Sequence, residues 1–291
     1  MFAICPISTV PVRVQASEKS EMLTQLLFGE VVEVISLSQR IAQLTKGWLQ
    51  VCCPWDNCIG WVERSQLQFL SSDYVPETDL INPISFELLQ AAMTDTHSIP
   101  ITLGATLPAF DGIQFKIDKT RFTFSGQVID PKQVTASSDL LIRMARKYLY
   151  APYLWGGRSP FGIDSAGLVQ MCFRAINIPV PRFAREQSEQ GRPIDFIQLA
   201  QPGDLAFFDN ASGNIIHVGI ILADSMILHA SGKVKIDYLD HFGIFDANEQ
   251  KYTHKLRIIK RLLEDSPTAQ FSLTVNVDEL LKESEPALSL F

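Results

Sequence analysis

The sequence predicts an α+β protein in which one or two small β-barrels precede a domain of helices followed by antiparallel strands. Three observations carry this. Short β-like segments crowd the stretch from Val10 to Gly126, a helical period sets in after Ser138, and two apolar strands joined by a tight turn follow Asn214. At 291 residues, a prior of about 150 residues per domain allows two domains, or three when some are small β modules.

Residues 1–70 read as the first barrel. Val10-Pro11-Val12-Arg13-Val14 alternates, Glu30-Val31-Val32-Glu33-Val34-Ile35 is β-branched, and Gly47-Trp48-Leu49-Gln50-Val51 alternates again. Ile59-Gly60-Trp61-Val62 follows a turn at Asp56-Asn57. Residues 71–137 read as a linker with a second small β module. A helix is expected over Ser85–Met93, then strands at Ile101-Thr102-Leu103-Gly104, Phe115-Lys116-Ile117 and Arg121–Gly126, with a turn at Asp111-Gly112.

Residues 138–264 form the larger unit. Leu141, Met144, Ala145, Tyr148 and Leu149 share one helical face, capped by Ser138 or Asp139. After the turn Trp155-Gly156-Gly157-Arg158, a second helix begins near Ser165, with Leu168, Val169, Cys172, Phe173 and Ile176 on one side. Strands are expected at Ile215–Leu222, Met226–Ala230 and Leu256–Ile259. Residues 265–291 make an acidic tail of net charge −4.

Composition narrows the function classes. With 25 Lys+Arg against 32 Asp+Glu, the formal charge is −7, which argues against a nucleic-acid surface. The chain is 46% hydrophobic and 20% charged, an ordinary globular balance. No apolar run approaches the ~18 residues that cross a bilayer, so no membrane partner is expected. The first basic residue is Arg13, and no basic start, apolar stretch and cleavage site follow in order. The five cysteines (Cys5, Cys52, Cys53, Cys58, Cys172) are odd in number, and Cys52-Cys53-x4-Cys58 lacks a second ligand pair at zinc spacing. The expectation is idle thiols in a reducing cytoplasm, with no metal site.

Two histidines sit in the paired strands. If the turn is odd in length, as Ala223-Asp224-Ser225, Gly219 opposes His229 and His217 is its diagonal neighbour on the same face, about 7–8 Å away. An even turn puts them on opposite faces. Ser165 follows Asp164, a good N-cap, and so lies where a helix's free N–H groups stabilise an anion. A cysteine there beside a histidine becomes a thiolate nucleophile, whereas a serine hydroxyl is too weak an acid and reads equally well as an ordinary first-turn residue.

Five segments taken together carry a family resemblance: Pro152-Tyr153-Leu154-Trp155-Gly156-Gly157, Gly162-Ile163-Asp164-Ser165-Ala166-Gly167-Leu168-Val169, Pro202-Gly203-Asp204-Leu205, His217-Val218-Gly219-Ile220 and His229-Ala230-Ser231. From Ser138 to Arg261 the chain resembles the NlpC-type papain-like cysteine peptidases that cut bacterial cell-wall peptides. Val10–Arg13 and Ser20–Glu30 resemble the SH3-like barrel of one branch, the γ-D-glutamyl-L-diamino acid endopeptidases, or dipeptidyl-peptidase VI. The resemblance implies hydrolysis of the γ-D-Glu–diamino acid bond in murein peptides bearing a free N-terminal L-Ala, in some members as part of cytoplasmic wall recycling. It places the nucleophile at Ser165, the general base at His217 and the orienting third group at His229. Asp164, Tyr153, Trp155 and Ala166 would line the peptide pocket, and backbone N–H near Ser165 would hold the oxyanion. Glu21 is the candidate partner for the substrate amine, a task Asp164 could share. No metal or organic cofactor is implied.

Two positions depart from the family pattern. Cys58 stands where a tyrosine is usual, and Ser165 stands where the nucleophilic cysteine belongs. Three readings of the serine stay open: an engineered replacement of a cysteine, a naturally inactive murein-peptide binder, or a serine nucleophile served by His217.

Overall fold

In the computed structural model, residues 1–35, 47–71 and 82–263 are described, and the acidic tail lies outside them. The N-terminal unit is an antiparallel seven-stranded sheet of β1 (Phe2–Ile4), β2 (Thr9–Arg13), β3 (Met22–Leu27), β4 (Val31–Val34), β5 (Trp48–Cys53), β6 (Cys58–Glu63) and β7 (Gln68–Phe69), in the order β3-β2-β6-β5-β4-β1-β7. Alternation builds its core: Val10 and Val12, Val32 and Val34, and Leu49, Val51 and Cys53 all point inward. The expected turn is present. Asn57 adopts φ 56° and Asp56 Oδ1 accepts the Cys58 amide at 3.0 Å.

The second β module comprises β8 (Ile84–Ser85), β9 (Leu89–Met93), β10 (Ser98–Thr102), β11 (Gln114–Ile117), β12 (Thr120–Thr123) and β13 (Val128–Ile129). Its four-stranded sheet runs β10-β9-β12-β11, and β13 pairs with β8. The helix expected over Ser85–Met93 is therefore corrected to strand. Met93 pairs with Ser98 and with Thr123, and these ladders override a locally helix-prone sequence. Phe115 stacks on Phe122 at 5.0 Å, and Phe28 of the first unit meets both rings edge-on, so the two modules share a core.

In the C-terminal unit, α1 (Ser138–Lys147) is capped one residue earlier than expected: Ser137 Oγ accepts the Leu140 amide at 3.3 Å. The short hairpin β14 (Arg158–Ser159) and β15 (Gly162–Ile163) leads into α2 (Ser165–Arg174), and one further turn forms α3 (Ala184–Gln187). The last sheet contains β16 (Arg192–Ile194), β17 (Leu205–Asp209), β18 (Ile215–Ile221), β19 (Met226–Ser231), β20 (Lys233–Leu239), β21 (Gly243–Asp246) and β22 (Lys251–Arg261), in the order β16-β22-β17-β18-β19-β20-β21. Because β21 also pairs with β22, six of these strands close on themselves. The period of two then divides the core. Phe207, Val218, Ile220 and Leu228 pack with the helices, while Phe208, Ile221, Ile227 and Ile259 fill the other face.

A buried ion cluster joins the first barrel to this unit. Glu30 receives Arg158 Nη1 at 2.8 Å, Arg158 Nη2 at 3.0 Å, the Leu27 amide at 2.8 Å and the guanidinium of Arg174. Burial works against the Glu30 carboxylate, but the Arg158 and Arg174 guanidiniums outweigh it and hold its carboxyl below the usual range. A carboxyl lowered on folding stabilises the protein above its unfolded pKa of about 4.3, and that stability is lost as pH falls through the folded value. Glu30→Gln is expected to lower unfolding free energy at pH 7 by about 3 kcal/mol. In urea titrations repeated down the acid range, the gap between the two proteins should narrow; a gap constant with pH would contradict the charge assignment.

Candidate active site

The start of α2 is fixed by one carboxylate. Asp164 is the N-cap; its Oδ1 accepts the Gly167 amide at 2.6 Å and Arg182 Nη1 at 3.0 Å. Its Oδ2 accepts the Gly156 amide at 2.8 Å and Arg182 Nη2 at 2.7 Å. Each Asp164 oxygen thus already accepts two hydrogen bonds within the protein. Its neighbour Ser165 is buried at the first helical position, and α2 packs against β18 and β19. Among the described hydrogen bonds, the amides of Ser165 and Ala166 have no acceptor, as expected of donors in a first helical turn. The Ser165 hydroxyl likewise makes no bond to either imidazole.

The two histidines meet as the odd turn requires. Gly219 pairs with His229, and Leu222 N donates to Met226 O across the three-residue turn. Gly219 has a packing reason: a Cβ there would lie 2.6 Å from Ile227 and 3.0 Å from His229 Cβ. The diagonal contact is a direct hydrogen bond, His217 Nε2 to His229 Nδ1 at 2.9 Å. His229 Nε2 in turn lies 3.0 Å from Asp237 Oδ2 on β20, and Lys235 Nζ bridges Asp237 at 2.8 Å and Asp246 at 2.7 Å. Burial, then the proton of His229, then Lys235 act on Asp237, and its carboxyl stays below the usual range.

This chain sets the tautomers. A carboxylate only accepts, so His229 carries its proton on Nε2 and presents the Nδ1 lone pair. His217 must then donate from Nε2, leaving its Nδ1 as the basic nitrogen. Burial first, and the neighbouring His229 and His254 second, push the His217 pKa well below its ordinary value. The imidazole is therefore neutral at pH 7, able to take a proton. Sequence reading missed both Asp237 and His254. The latter stacks on His217 with centroids 4.2 Å apart and borders an open groove of about 620 Å³ walled by Phe242 and Tyr252.

The remaining residues gather at the seam between the barrel and the C-terminal unit. Trp155 Nε1 donates to Glu21 Oε1 at 2.8 Å, and Gly156 sits at φ +77° where a Cβ would lie 2.5 Å from Met22 O. Tyr153 is half-exposed, its phenol pKa raised by burial and then by Asp164. Arg182 Nε reaches Thr24 Oγ1 at 2.9 Å, and Gln170 Nε2 reaches Asp56 Oδ2 at 2.8 Å. Cys58 is buried against Cys53, its thiol pushed up to about 12 chiefly by burial, so it is no nucleophile.

Comparison with known proteins agrees with this layout. Residues 150–257 match the NlpC/P60 family, and residues 12–67 match the bacterial dipeptidyl-peptidase Sh3 domain. The chain is 26% identical over 221 residues to the gamma-D-glutamyl-L-lysine dipeptidyl-peptidase of Bacillus subtilis, covering 71% of each protein. It is 32% identical over 136 residues to a probable endopeptidase of Haemophilus influenzae, covering 46% of this chain and 82% of that one. An NlpC/P60 family protein from Bacillus cereus superposes with a TM-score of 0.72 at 18% identity, over 91% of this chain and 100% of that one.

Two outcomes test the site as built. Long-range proton–nitrogen NMR is expected to find His217 and His229 both as Nε2–H tautomers at pH 7; an Nδ1–H on His229 would contradict the carboxylate-driven order. Asp164→Ala strips the cap and leaves Arg182 uncompensated, so chemical denaturation should show a loss of about 3–5 kcal/mol. A loss below about 1 kcal/mol would mean that the cap alone was removed.

Proposed function

The chain belongs to the NlpC/P60 family, and from that premise we propose that its site handles murein peptides with a free N-terminal L-Ala, the reaction being hydrolysis of the bond between γ-D-glutamate and a diamino acid. In the form with Ser165, the site holds the peptide without cutting it. The observation that carries the substrate reading is the seam. Glu21, from the barrel, has one carboxylate oxygen outside the described hydrogen bonds, beyond its bond to the exposed Trp155. An ammonium leaving water needs such an acceptor, and with Asp164 saturated the role falls to Glu21. The likeness to a relative named for γ-D-glutamyl-L-lysine supports a γ-D-glutamyl bond to a diamino acid as the one cut.

The chemistry follows from the tautomers. With a cysteine at position 165, His217 Nδ1 takes the thiol proton and the α2 terminus stabilises the thiolate. The sulfur attacks the γ-glutamyl carbonyl, and the amides of Ser165 and Ala166 receive the oxyanion. The C–N bond breaks as the imidazolium returns the proton to the departing amine; water then hydrolyses the thioester by the same base. His229, held by Asp237, keeps the base aligned. A serine lacks the preformed ion pair, so the same frame leaves it idle. Five free thiols suit a reducing compartment, where recycling of wall peptides is the role such a reaction serves.

The test is release of diaminopimelate from L-Ala-γ-D-Glu-diaminopimelate by the chain as it stands and by Ser165→Cys. Turnover is expected only in the cysteine form. Silence in both forms would leave a pure binder, and turnover by the serine form would make Ser165 itself the nucleophile. Within the cysteine background, Glu21→Gln is expected to raise KM at least about tenfold with kcat little changed, since a charged bond on a bound substrate is worth about 1.5–3 kcal/mol. An unchanged KM would remove Glu21 from substrate recognition.

A further inference from the structure

We propose that His217, His229 and His254 form a binding site for a divalent transition-metal ion of the zinc class, distinct in purpose from the peptide chemistry of the same histidines. One ring nitrogen from each lies within 4.8 Å of the others, and tetrahedral ligation is reached when the His254 ring turns out of its stack on His217 toward the shared ion. Three neutral imidazoles are the donor set that suits Zn²⁺ or Co²⁺, with a fourth position open to water.

The surroundings match what such a site needs. His229 already donates Nε2–H to Asp237 at 3.0 Å, the carboxylate–histidine arrangement that orients a metal ligand and leaves Nδ1 for the ion. His254 Nδ1 lies 2.9 Å from Thr253 Oγ1, which occupies that nitrogen and leaves Nε2. His254 is only partly buried and borders the open groove, giving an ion a way in from solvent.

Occupancy has a definite proton consequence. The 2.9 Å His217–His229 bond breaks, and both of its nitrogens turn to the metal. The His217 proton moves from Nε2 to Nδ1, so no net proton is released and the basic nitrogen disappears. The ion would thus switch the histidine pair from base to ligand. His254 is the residue that makes this possible: a strand histidine with no part in the relay, stacked on the one that has it.

The experiment is titration of the full chain carrying Ser165 with Co²⁺, followed by visible absorption and then displacement by Zn²⁺. One equivalent is expected to give the intense bands of a four-coordinate ion, bleached stoichiometrically by zinc. His254→Phe keeps a ring stacked on His217 but removes the ligand, and should weaken binding at least about tenfold. Asp237→Asn should weaken it about 10–100-fold by loosening His229. Circular dichroism checks that both variants fold. Absence of the bands, an octahedral spectrum, or equal affinity in folded His254→Phe would overturn the proposal. Because no peptide is involved, these readouts stand or fall apart from the peptidase reading.

Discussion

The carboxylate of Asp164 is the constraint on which the site depends. It caps α2, receives the amide of Gly156 and is clamped by the Arg182 guanidinium, so the place of Ser165, the Trp155–Gly157 loop and the segment after α2 are set by one charge. Arg182 continues to Thr24 on the barrel. An isolated buried ion pair contributes little net stability, because desolvation offsets attraction. Here the pair's value is positional: four donors of fixed direction converge on two oxygens, and a different loop arrangement would leave a charge unmet in the interior.

The same logic governs the joint between barrel and C-terminal unit. Glu30 lies in the barrel, yet both of its arginines come from the other unit, and Gln170 of α2 bonds back to Asp56. Shared polar groups in this interface make the two units one functional body. That is why a barrel residue, Glu21, can be held at a fixed place beside the loop of Trp155. In the proposed function, the C-terminal unit supplies the chemistry and the barrel supplies the wall against which a peptide terminus is read.

Much of this was legible in the sequence where local rules and tertiary demands coincide. The parity of the turn after Leu222 decides the face of both histidines, and the β18–β19 register follows it. Asp164 before Ser165 is a capping signal that needs no tertiary information. Legibility ended where long-range pairing overrides local preference, as in Leu89–Met93, whose helix-prone residues are held in a four-stranded sheet. Asp237 was missed because β20 reads as a charged, irregular stretch, and its role exists only once it lies beside His229. His254 was missed because β22 alternates charges at its exposed end, hiding a strand longer than Leu256–Ile259. Arg182 gives no local sign at all; a loop arginine becomes a strut only through the carboxylate it meets.

The central claim is that the seam reads a peptide by its free amine whatever residue stands at position 165. Calorimetric titration of the unaltered chain with L-Ala-γ-D-Glu-diaminopimelate, and with the same peptide acetylated at its terminus, measures this without requiring turnover. The account predicts one bound peptide per chain for the free form and at least about tenfold weaker binding once the charge is removed. Equal affinity for the two, or no affinity for either, would contradict it.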